Sequence, residues 1–183
     1  MVSVYICLVH HPVNNQNNQV ITTSITNLDV HDIARLTSTY DLAGYYIVQP
    51  LNRQRELFQE LIDYWKQGLG AQYNSSRAEA FQKVKVVATI EECLNDVTHD
   101  KKPIVVATGA NLCEDIDFIQ LRQLMKDNDI VILFGTGWGL TDEVTNKAHF
   151  RLTPIKSIDK YNHLSVRSAA SIIIDRLCCK KWW

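Results

Sequence analysis

Short apolar runs alternate with amphipathic segments along most of this chain. Six runs rich in Val, Ile and other apolar residues are typical of buried strands, at residues 2–9, 45–48, 84–88, 104–108, 130–134 and 150–152. Apolar residues at helical spacing predict helices at 29–40, 51–69, 91–97, 118–125 and 162–179. This alternation of strand and helix predicts an α/β fold, with a mainly parallel sheet and helices on both faces.

Two polar stretches interrupt the pattern, and one helix departs from it. Residues 14–19 are all Asn or Gln and predict a turn or short loop, and residues 72–77 predict a second loop. The helix predicted at 162–179 is apolar on nearly all faces, which indicates burial. In a chain of this size, burial on every face predicts a second subunit there, and hence a homodimer.

Composition narrows the class of protein. The chain has 183 residues, of which 46% are hydrophobic and 21% charged, and this predicts one globular domain spanning 1–183. No apolar stretch approaches the length of a membrane span, and the N-terminus lacks a basic region, so we expect a cytoplasmic protein with no membrane partner. Five cysteines without a C-x-x-C spacing fit neither a disulfide framework nor a zinc site.

The distribution of charge keeps a nucleic-acid partner open. The net charge of -1 argues against such a partner, because phosphate neutralisation dominates that kind of affinity. Residues 1–28, however, contain no Lys, Arg, Asp or Glu, whereas residues 145–183 hold eight basic residues against two aspartates. A local basic face is therefore compatible with a nearly neutral protein.

The strongest local signal is a glycine-rich loop directly after the strand predicted at 130–134. Its sequence, FGTGWGL at 134–140, removes side chains where a ligand or another backbone comes close, at the edge of the sheet where α/β proteins bind ligands. A dinucleotide site requires a different glycine spacing in the first βα unit, so we reject it. A tight turn without a ligand remains the alternative.

Three strings in combination resemble the motifs of the SPOUT class of RNA methyltransferases. They are TNLDVHDIAR at 26–35, FGTGWGL at 134–140 and YNHLSVRSA at 161–169. More narrowly, the chain is similar to a bacterial family of S-adenosylmethionine (SAM)-dependent RNA methyltransferases, found alone or fused to a tRNA (guanine-N1) methyltransferase. The resemblance implies a deep C-terminal trefoil knot, with the knot and the SAM site in about 104–179.

The resemblance also implies which residues bind SAM. The backbone of the glycine loop contacts the cofactor, the segment after the strand at 104–108 forms a second wall, and the segment before the last helix forms a third. The implied cofactor-binding residues are Thr108, Gly109, Ala110, Phe134, Gly135, Thr136, Gly137, Trp138, Leu152, Ile155, Tyr161, Asn162, His163 and Leu164. Backbone polar groups and an apolar cleft suit an adenosine that carries a sulfonium.

Three residues are candidates for catalysis. The resemblance aligns Arg35 with an arginine that engages RNA phosphate, and it places Asn162 and Ser165 near the methyl donor. Two of them have a simpler interpretation. Arg35 could be a solvated helix arginine paired with Asp29 or Asp32, and Asn162 could be only a helix N-cap.

Other kinds of site fit the sequence poorly. Asp29 and Asp32 share one side of a helix, but His31 points elsewhere and no His-x-x-x-His pair exists, so we predict no metal. There is no G-x-S-x-G elbow for a serine hydrolase. A flavodoxin-like nucleotide site would need a phosphate loop after the first strand, and the His10-His11-Pro12 stretch found there is not one.

These expectations combine into one leading function. We expect a homodimeric enzyme that transfers a methyl group from SAM to a ribose oxygen or base nitrogen of structured RNA, with tRNA as the leading substrate. The alternative is a non-catalytic SAM- or RNA-binding module that assists a partner methyltransferase.

Overall fold

A computed structural model describes residues 3–99 and 101–180 of the chain. In chain order, the strands are β1 Val4–Val9, β2 Val13–Asn14, β3 Val20–Ile21, β4 Gly44–Val48, β5 Val84–Val87, β6 Ile104–Ala107, β7 Ile130–Gly135 and β8 Phe150–Arg151. The helices are α1 Asn27–Thr39, α2 Asn52–Lys66, α3 Leu69–Tyr73, α4 Ser75–Gln82, α5 Ile90–Val97, α6 Phe118–Leu124, α7 Asp142–Lys147 and α8 Val166–Cys178.

The six predicted strands form one parallel sheet. Its strand order is β5-β4-β1-β7-β6-β8, and every neighbouring pair is parallel. The prediction of a parallel α/β sheet is therefore confirmed, although β1 begins at Val4 and the predicted Val2 lies outside the described residues. The two short strands β2 and β3 form a separate antiparallel hairpin around the polar stretch 14–19.

Helices cover both faces of the sheet, as the alternation of elements predicts. Along β1, Ile6 and Leu8 face one core with α1, α2, α4, α6 and α8, whereas Cys7 and Val9 face a second core with α5 and α7. Each fully buried aliphatic side chain of this kind contributes about 1.5–3 kcal/mol of transfer free energy. Because both faces are buried, the central strands have the continuous apolar sequences from which they were predicted.

Residues 66–82 differ from the prediction. The helix predicted at 51–69 ends at Lys66, and the loop predicted at 72–77 is wrong because α3 and α4 meet there. Gly68 allows the sharp turn, since a Cβ at that position would lie 2.8 Å from the Tyr64 carbonyl oxygen. Asn74 separates the two short helices, and its side chain caps α4 by accepting from the Arg77 amide at 3.0 Å.

The C-terminal helix is shorter than predicted and buries one face. It begins at Val166, not at 162, because the Ser165 hydroxyl caps it by accepting from the Ser168 amide at 3.2 Å. The prediction of Asn162 as a helix cap is therefore wrong. The helix buries Ala170, Ile173, Ile174 and Leu177 against the sheet and leaves Ile172 half-buried. Across residues 3–99 and 101–180, none of the helices has the length and apolar character of a membrane span.

Candidate functional site

A cleft of about 780 Å³ opens where several parallel strands end. It lies at the carboxyl edge of the sheet, which is where open α/β sheets bind ligands. The walls follow four strands of the sheet and include the start of α1 and the approach to α8. They are formed by His10 after β1, residues 23–29, 108–112 after β6, 134–140 after β7, 152–155 after β8, and 162–166.

This cleft brings together the cofactor-binding residues expected from the sequence, with one exception. Those that line it are Thr108, Gly109, Ala110, Phe134, Gly135, Thr136, Gly137, Trp138, Leu152, Ile155, Asn162, His163 and Leu164. Tyr161 does not line it. The Tyr161 side chain is 77% exposed, and its ring packs edge-on against His163 with the ring centroids 5.3 Å apart.

Two glycines shape the loop between β7 and α7. A Cβ on Gly135 would lie 2.5 Å from the Leu140 amide nitrogen, so this position admits no side chain. Gly137 has a φ of +59°, and a Cβ there would lie 3.0 Å from the Asn14 carbonyl oxygen, in the β2–β3 hairpin. The glycines therefore allow close approach of other backbone segments, and only secondarily leave room for a ligand.

The β2–β3 hairpin holds the glycine loop by its backbone. The Trp138 amide donates to the Asn14 carbonyl oxygen at 3.0 Å, and the Asn14 amide donates to the Gly139 carbonyl oxygen at 2.9 Å. The loop also closes on itself, because the Gly139 amide donates to Thr136 at 3.0 Å. The loop conformation is therefore fixed by contacts with segments distant in sequence.

A chain of side-chain hydrogen bonds connects the loop to β1. The Thr136 hydroxyl donates to the Val9 carbonyl oxygen at 3.0 Å and lies 2.5 Å from the Thr23 hydroxyl. The Thr23 hydroxyl in turn lies 2.9 Å from His10 Nδ1. His10 is only 1% exposed, and this burial lowers the pKa of its imidazole to about 4, against the opposing influence of the Asp29 charge. The imidazole is therefore neutral at pH 7.

A buried carboxylate ties the first motif to α8. Asp29 accepts a hydrogen bond from the Thr26 hydroxyl at 2.6 Å and one from Arg167 Nη1 at 2.9 Å. The side chains of Asp29 and Arg167 are 8% and 30% exposed. Arg167 also pairs with the exposed Asp32 at 3.2 Å, and an exposed pair of this kind contributes little. Two of the sequence motifs therefore meet through one ion pair.

The candidate catalytic residues occupy three different environments. Asn162 lies in the cleft, where its amide donates to the Ala110 carbonyl oxygen at 3.4 Å and connects two walls. Ser165 also lines the cleft, with its hydroxyl engaged in the cap of α8. Arg35 is exposed on α1 and does not line the cleft. Its proposed pairing with Asp29 or Asp32 is wrong, because both aspartates bind Arg167.

The charges in the cleft favour one kind of ligand. Among the described residues, those that line it include Asp29 and Asp142 but neither Lys nor Arg. Phe134, Leu140 and Leu152 add apolar surface. Such a cleft suits a ligand that combines a neutral ring system with a separate positively charged group, and its described lining offers no cationic side chain to a phosphate group.

Sequence reasoning missed the polar side of this cleft. His10, Thr23 and Asp29 converge there from β1, the segment after β3 and the start of α1. No spacing rule connects them, because it is the hairpin that folds Thr23 back onto β1, where its amide donates to the His10 carbonyl oxygen at 2.9 Å. The one available signal was the pair His10-His11 at the end of a strand, and it identifies neither the partners nor the role of these side chains.

Comparison of the chain with known proteins identifies a matching family. Residues 3–179 match the family described as SAM-dependent RNA methyltransferase. A tRNA (guanine-N(1)-)-methyltransferase of Oleidesulfovibrio alaskensis is 41% identical over 177 residues, which make up 96% of this chain and 42% of that protein. The chain thus spans less than half of the length of this curated relative.

Solved structures share the fold. A probable methyltransferase from Bordetella pertussis Tohama I has a TM-score of 0.65 at 18% identity, with 96% of this chain and 92% of that one covered. The SpoU methyltransferase AviRb from Streptomyces viridochromogenes, in complex with AdoMet, has a TM-score of 0.60 at 12% identity, with 96% and 57% covered. At these identities the likeness concerns the fold alone.

Proposed function

The chain belongs to the SAM-dependent RNA methyltransferase family, and we propose that it transfers a methyl group from SAM to a nucleotide of structured RNA. The observation that carries this proposal is the cleft of about 780 Å³ at the carboxyl edge of the sheet, with its glycine loop and its acidic lining. Its volume lies in the range of small-molecule sites. Its walls contain the segments that the family resemblance assigns to SAM.

The chemistry of the cleft fits SAM better than other adenosine cofactors. SAM carries a sulfonium, an ammonium and a carboxylate, and hence one net positive charge. The lining offers apolar surface from Phe134, Leu140 and Leu152, and carboxylates from Asp29 and Asp142. A nicotinamide dinucleotide would bring a pyrophosphate into a cleft whose described lining contains no cationic side chain.

When bound, SAM would supply an electrophilic methyl group for in-line displacement by an RNA oxygen or nitrogen. The contribution of the protein would be mainly to position the acceptor. Asn162 is placed to orient a group in the cleft, because its amide already reaches across to Ala110. Ser165 would act through the cap of α8, which fixes the position of the wall before this helix.

RNA phosphates would bind outside the cleft. Arg35 is exposed on α1, where a planar guanidinium suits a bidentate phosphate contact. We propose Arg35 as a substrate-binding residue that reaches the acceptor nucleotide, from its own subunit or from a partner subunit. tRNA is the proposed substrate, in keeping with the name of the Oleidesulfovibrio relative. Action on tRNA would take place in the cytoplasm.

The assembly we propose is a homodimer built on α8, with a deep knot in about 104–179. The support is the outer face of α8, where the half-buried Ile172 lies beside a shallow depression of about 460 Å³ that α8 shares with Asp32 of α1. Leu164, just before the helix, is 48% exposed. A two-fold contact would cover both side chains and would bring a second copy of α1 near the cleft.

A second function has a specific observation in its favour. The chain spans only 42% of the relative named as a tRNA methyltransferase, so the named activity could belong to the remainder of that protein. The chain would then be a SAM- or RNA-binding module that assists a partner methyltransferase. The SAM-binding form of this module shares cofactor binding with the enzyme and differs from it in methyl transfer.

Calorimetric titration tests the shared step. S-adenosylhomocysteine (SAH), the demethylated product, should bind to the purified chain, whereas NAD⁺ should show no heat of binding at the same concentration. Binding should be lost in the Gly135→Ala variant, because its Cβ would displace Leu140 in the loop. Gly44→Ala in β4 is the matched control, because Gly44 does not line the cleft and its Cβ would meet only the Tyr5 and Tyr46 rings, at 3.2 Å or more. Absence of SAH binding by the unmodified chain would exclude the methyltransferase and the SAM-binding module, and would leave only an RNA-binding module.

A further inference from the structure

The tautomer of His10 is assigned from the directions of three hydrogen bonds. A carbonyl oxygen can only accept, so the Thr136 hydroxyl donates its single hydrogen to Val9. The contact between the hydroxyls of Thr23 and Thr136, at 2.5 Å, must then use the hydrogen of Thr23. Thr23 has no hydrogen left for His10, so Nδ1 of the imidazole carries the proton and donates to the Thr23 hydroxyl at 2.9 Å.

This leaves the other ring nitrogen as a buried acceptor with nothing to accept. Nε2 of the neutral imidazole has a lone pair and no hydrogen. The atom is buried, and within residues 3–99 and 101–180 it has no hydrogen-bond partner. His10 as a whole is 1% exposed and lines the cleft. Buried polar atoms are almost always paired, so an unpaired one at a ligand cleft points to a donor supplied by the ligand.

The surroundings select which donor of the ligand this is. Asp29 lines the same end of the cleft and is close enough for its charge to act on the His10 imidazole. An acceptor beside a carboxylate favours a cationic donor, and such charge-assisted hydrogen bonds are the stronger ones. The ammonium is the only charged donor in SAM, because the adenine amino group and the ribose hydroxyls are neutral.

We propose that His10 Nε2 accepts a hydrogen bond from the α-ammonium of bound SAM, beside the Asp29 carboxylate. The proposal rests on the proposed function, since it assumes that the cleft binds SAM. It makes His10 a cofactor-binding residue that distinguishes ligands with the amino-acid portion from those without it. The hydroxyl groups of Thr136 and Thr23 then hold the His10 imidazole in the tautomer whose Nε2 is an acceptor.

A low pKa suits this role and not that of a general base. With its pKa lowered to about 4, the imidazole stays an acceptor throughout the neutral range. A protonated imidazole would repel an ammonium, whereas a neutral one binds it. The same low pKa makes His10 a weak base for a ribose hydroxyl or a guanine N–H.

Two substitutions at His10 separate the two ring nitrogens. The amide nitrogen of His10→Asn falls near the position of Nδ1, so this variant can keep the bond to Thr23 while it loses the acceptor. The longer amide of His10→Gln reaches the position of Nε2 and can keep an acceptor there. Thermal melting of both variants identifies any loss of folding.

Two ligands distinguish contacts to the amino-acid portion of the cofactor from contacts to its adenosine. SAH contains the amino-acid portion, and 5′-methylthioadenosine lacks it while retaining adenosine and sulfur. In calorimetric titrations, His10→Asn should weaken SAH about ten-fold or more, as expected for a lost bond to a charged group. It should leave 5′-methylthioadenosine within about two-fold of the unmodified chain. His10→Gln should recover most of the SAH affinity.

Other results would overturn the proposal. Equal weakening of both ligands by His10→Asn would mean that His10 only shapes the loop. Unchanged SAH affinity in a folded His10→Asn variant would mean that Nε2 does not contact the cofactor, and loss of RNA methylation alongside it would place the contact on the nucleotide. If the unmodified chain binds neither ligand, the proposed function fails as well, which distinguishes that failure from the others.

Discussion

The ion pair between Asp29 and Arg167 gives the sharpest prediction for stability. The Asp29 side chain is 8% exposed, and Arg167 Nη1 is its cationic partner at 2.9 Å. In the Arg167→Met variant, the carboxylate would stay buried with the Thr26 hydroxyl as its remaining side-chain donor. Breaking a buried pair from one side costs about 3–5 kcal/mol, because a charge is left without compensation.

The geometry places the expected loss at the lower end of that range. Arg167 is 30% exposed, so water can partly replace it beside Asp29. We therefore expect Arg167→Met to lower the free energy of unfolding by about 3 kcal/mol. In a domain of this size, that corresponds to a decrease of roughly 6–12 °C in the melting temperature.

Urea unfolding followed by circular dichroism measures the change in the free energy of unfolding. A double-mutant cycle tests whether this change comes from the Asp29–Arg167 pair. In an Asp29→Asn background, Arg167→Met should cost less than about 1 kcal/mol, because the buried charge is already absent. Arg35→Met is the matched control on the exposed face of α1, and it should change stability by less than about 0.5 kcal/mol. An Arg167→Met variant as stable as this control would refute the account of the pair.

Three further predictions follow from other parts of the molecule. In Gly135→Ala, the new Cβ would meet the Leu140 amide nitrogen at 2.5 Å. We expect at least a 100-fold loss of SAH affinity by calorimetry, with the fold retained by circular dichroism. Near-normal affinity would contradict the loop geometry. The pKa of His10 is lowered from 6.5 to about 4, so the unfolded chain binds more protons between these values and the free energy of unfolding decreases as the pH falls from about 6.5 to 4. His10→Gln should remove up to about 3 kcal/mol of that decrease, measured by urea unfolding at each pH, and an unchanged pH dependence would refute this. Ile172→Glu on the open face of α8 should give a folded monomer by sedimentation, whereas Gln123→Glu, at an exposed position of α6 that does not line the depression beside Ile172, should remain dimeric; a dimer in both variants would place the interface elsewhere.

The α8 prediction also shows why the choice of position depends on the structure. From the sequence, Ile172 and Ile173 are equivalent members of an apolar helix. In the fold, Ile173 is 5% exposed in the core of its own chain, so a charge there would unfold the subunit whether or not a dimer exists. Only the half-buried Ile172 separates assembly from folding.

The strands of the sheet could be predicted because the signal for each strand lies within its own sequence. Strands buried on both faces must be apolar along their whole length, as in 4–9 and 130–135, and this signal needs no knowledge of their neighbours. The glycine loop could also be recognised in the sequence, because a position that admits no side chain, as at Gly135, requires glycine. The two short helices around Asn74 were not visible, because elements this short have weak periodicity.

The polar end of the cleft depends on contacts distant in sequence. The sequence offers Arg35 as the natural partner of Asp29 and Asp32, since all three lie within two turns of α1. The fold instead brings Arg167 from α8 to both carboxylates. Likewise, the partner of His10 is Thr23, which the β2–β3 hairpin folds back onto the end of β1. Such pairings become visible only when the hairpin and α8 are placed in three dimensions.

Methyl transfer to RNA is the central claim, and one assay tests it directly. The purified chain is incubated with SAM labelled on its methyl group and with total tRNA from a strain that lacks this protein, and the nucleosides are then separated. The account predicts label in one modified nucleoside, which disappears with Gly135→Ala and falls strongly with Arg35→Ala while SAH affinity of the Arg35 variant stays within a few-fold. Absence of label from every RNA fraction, in a chain that binds SAH, would contradict the claim and favour the non-catalytic module.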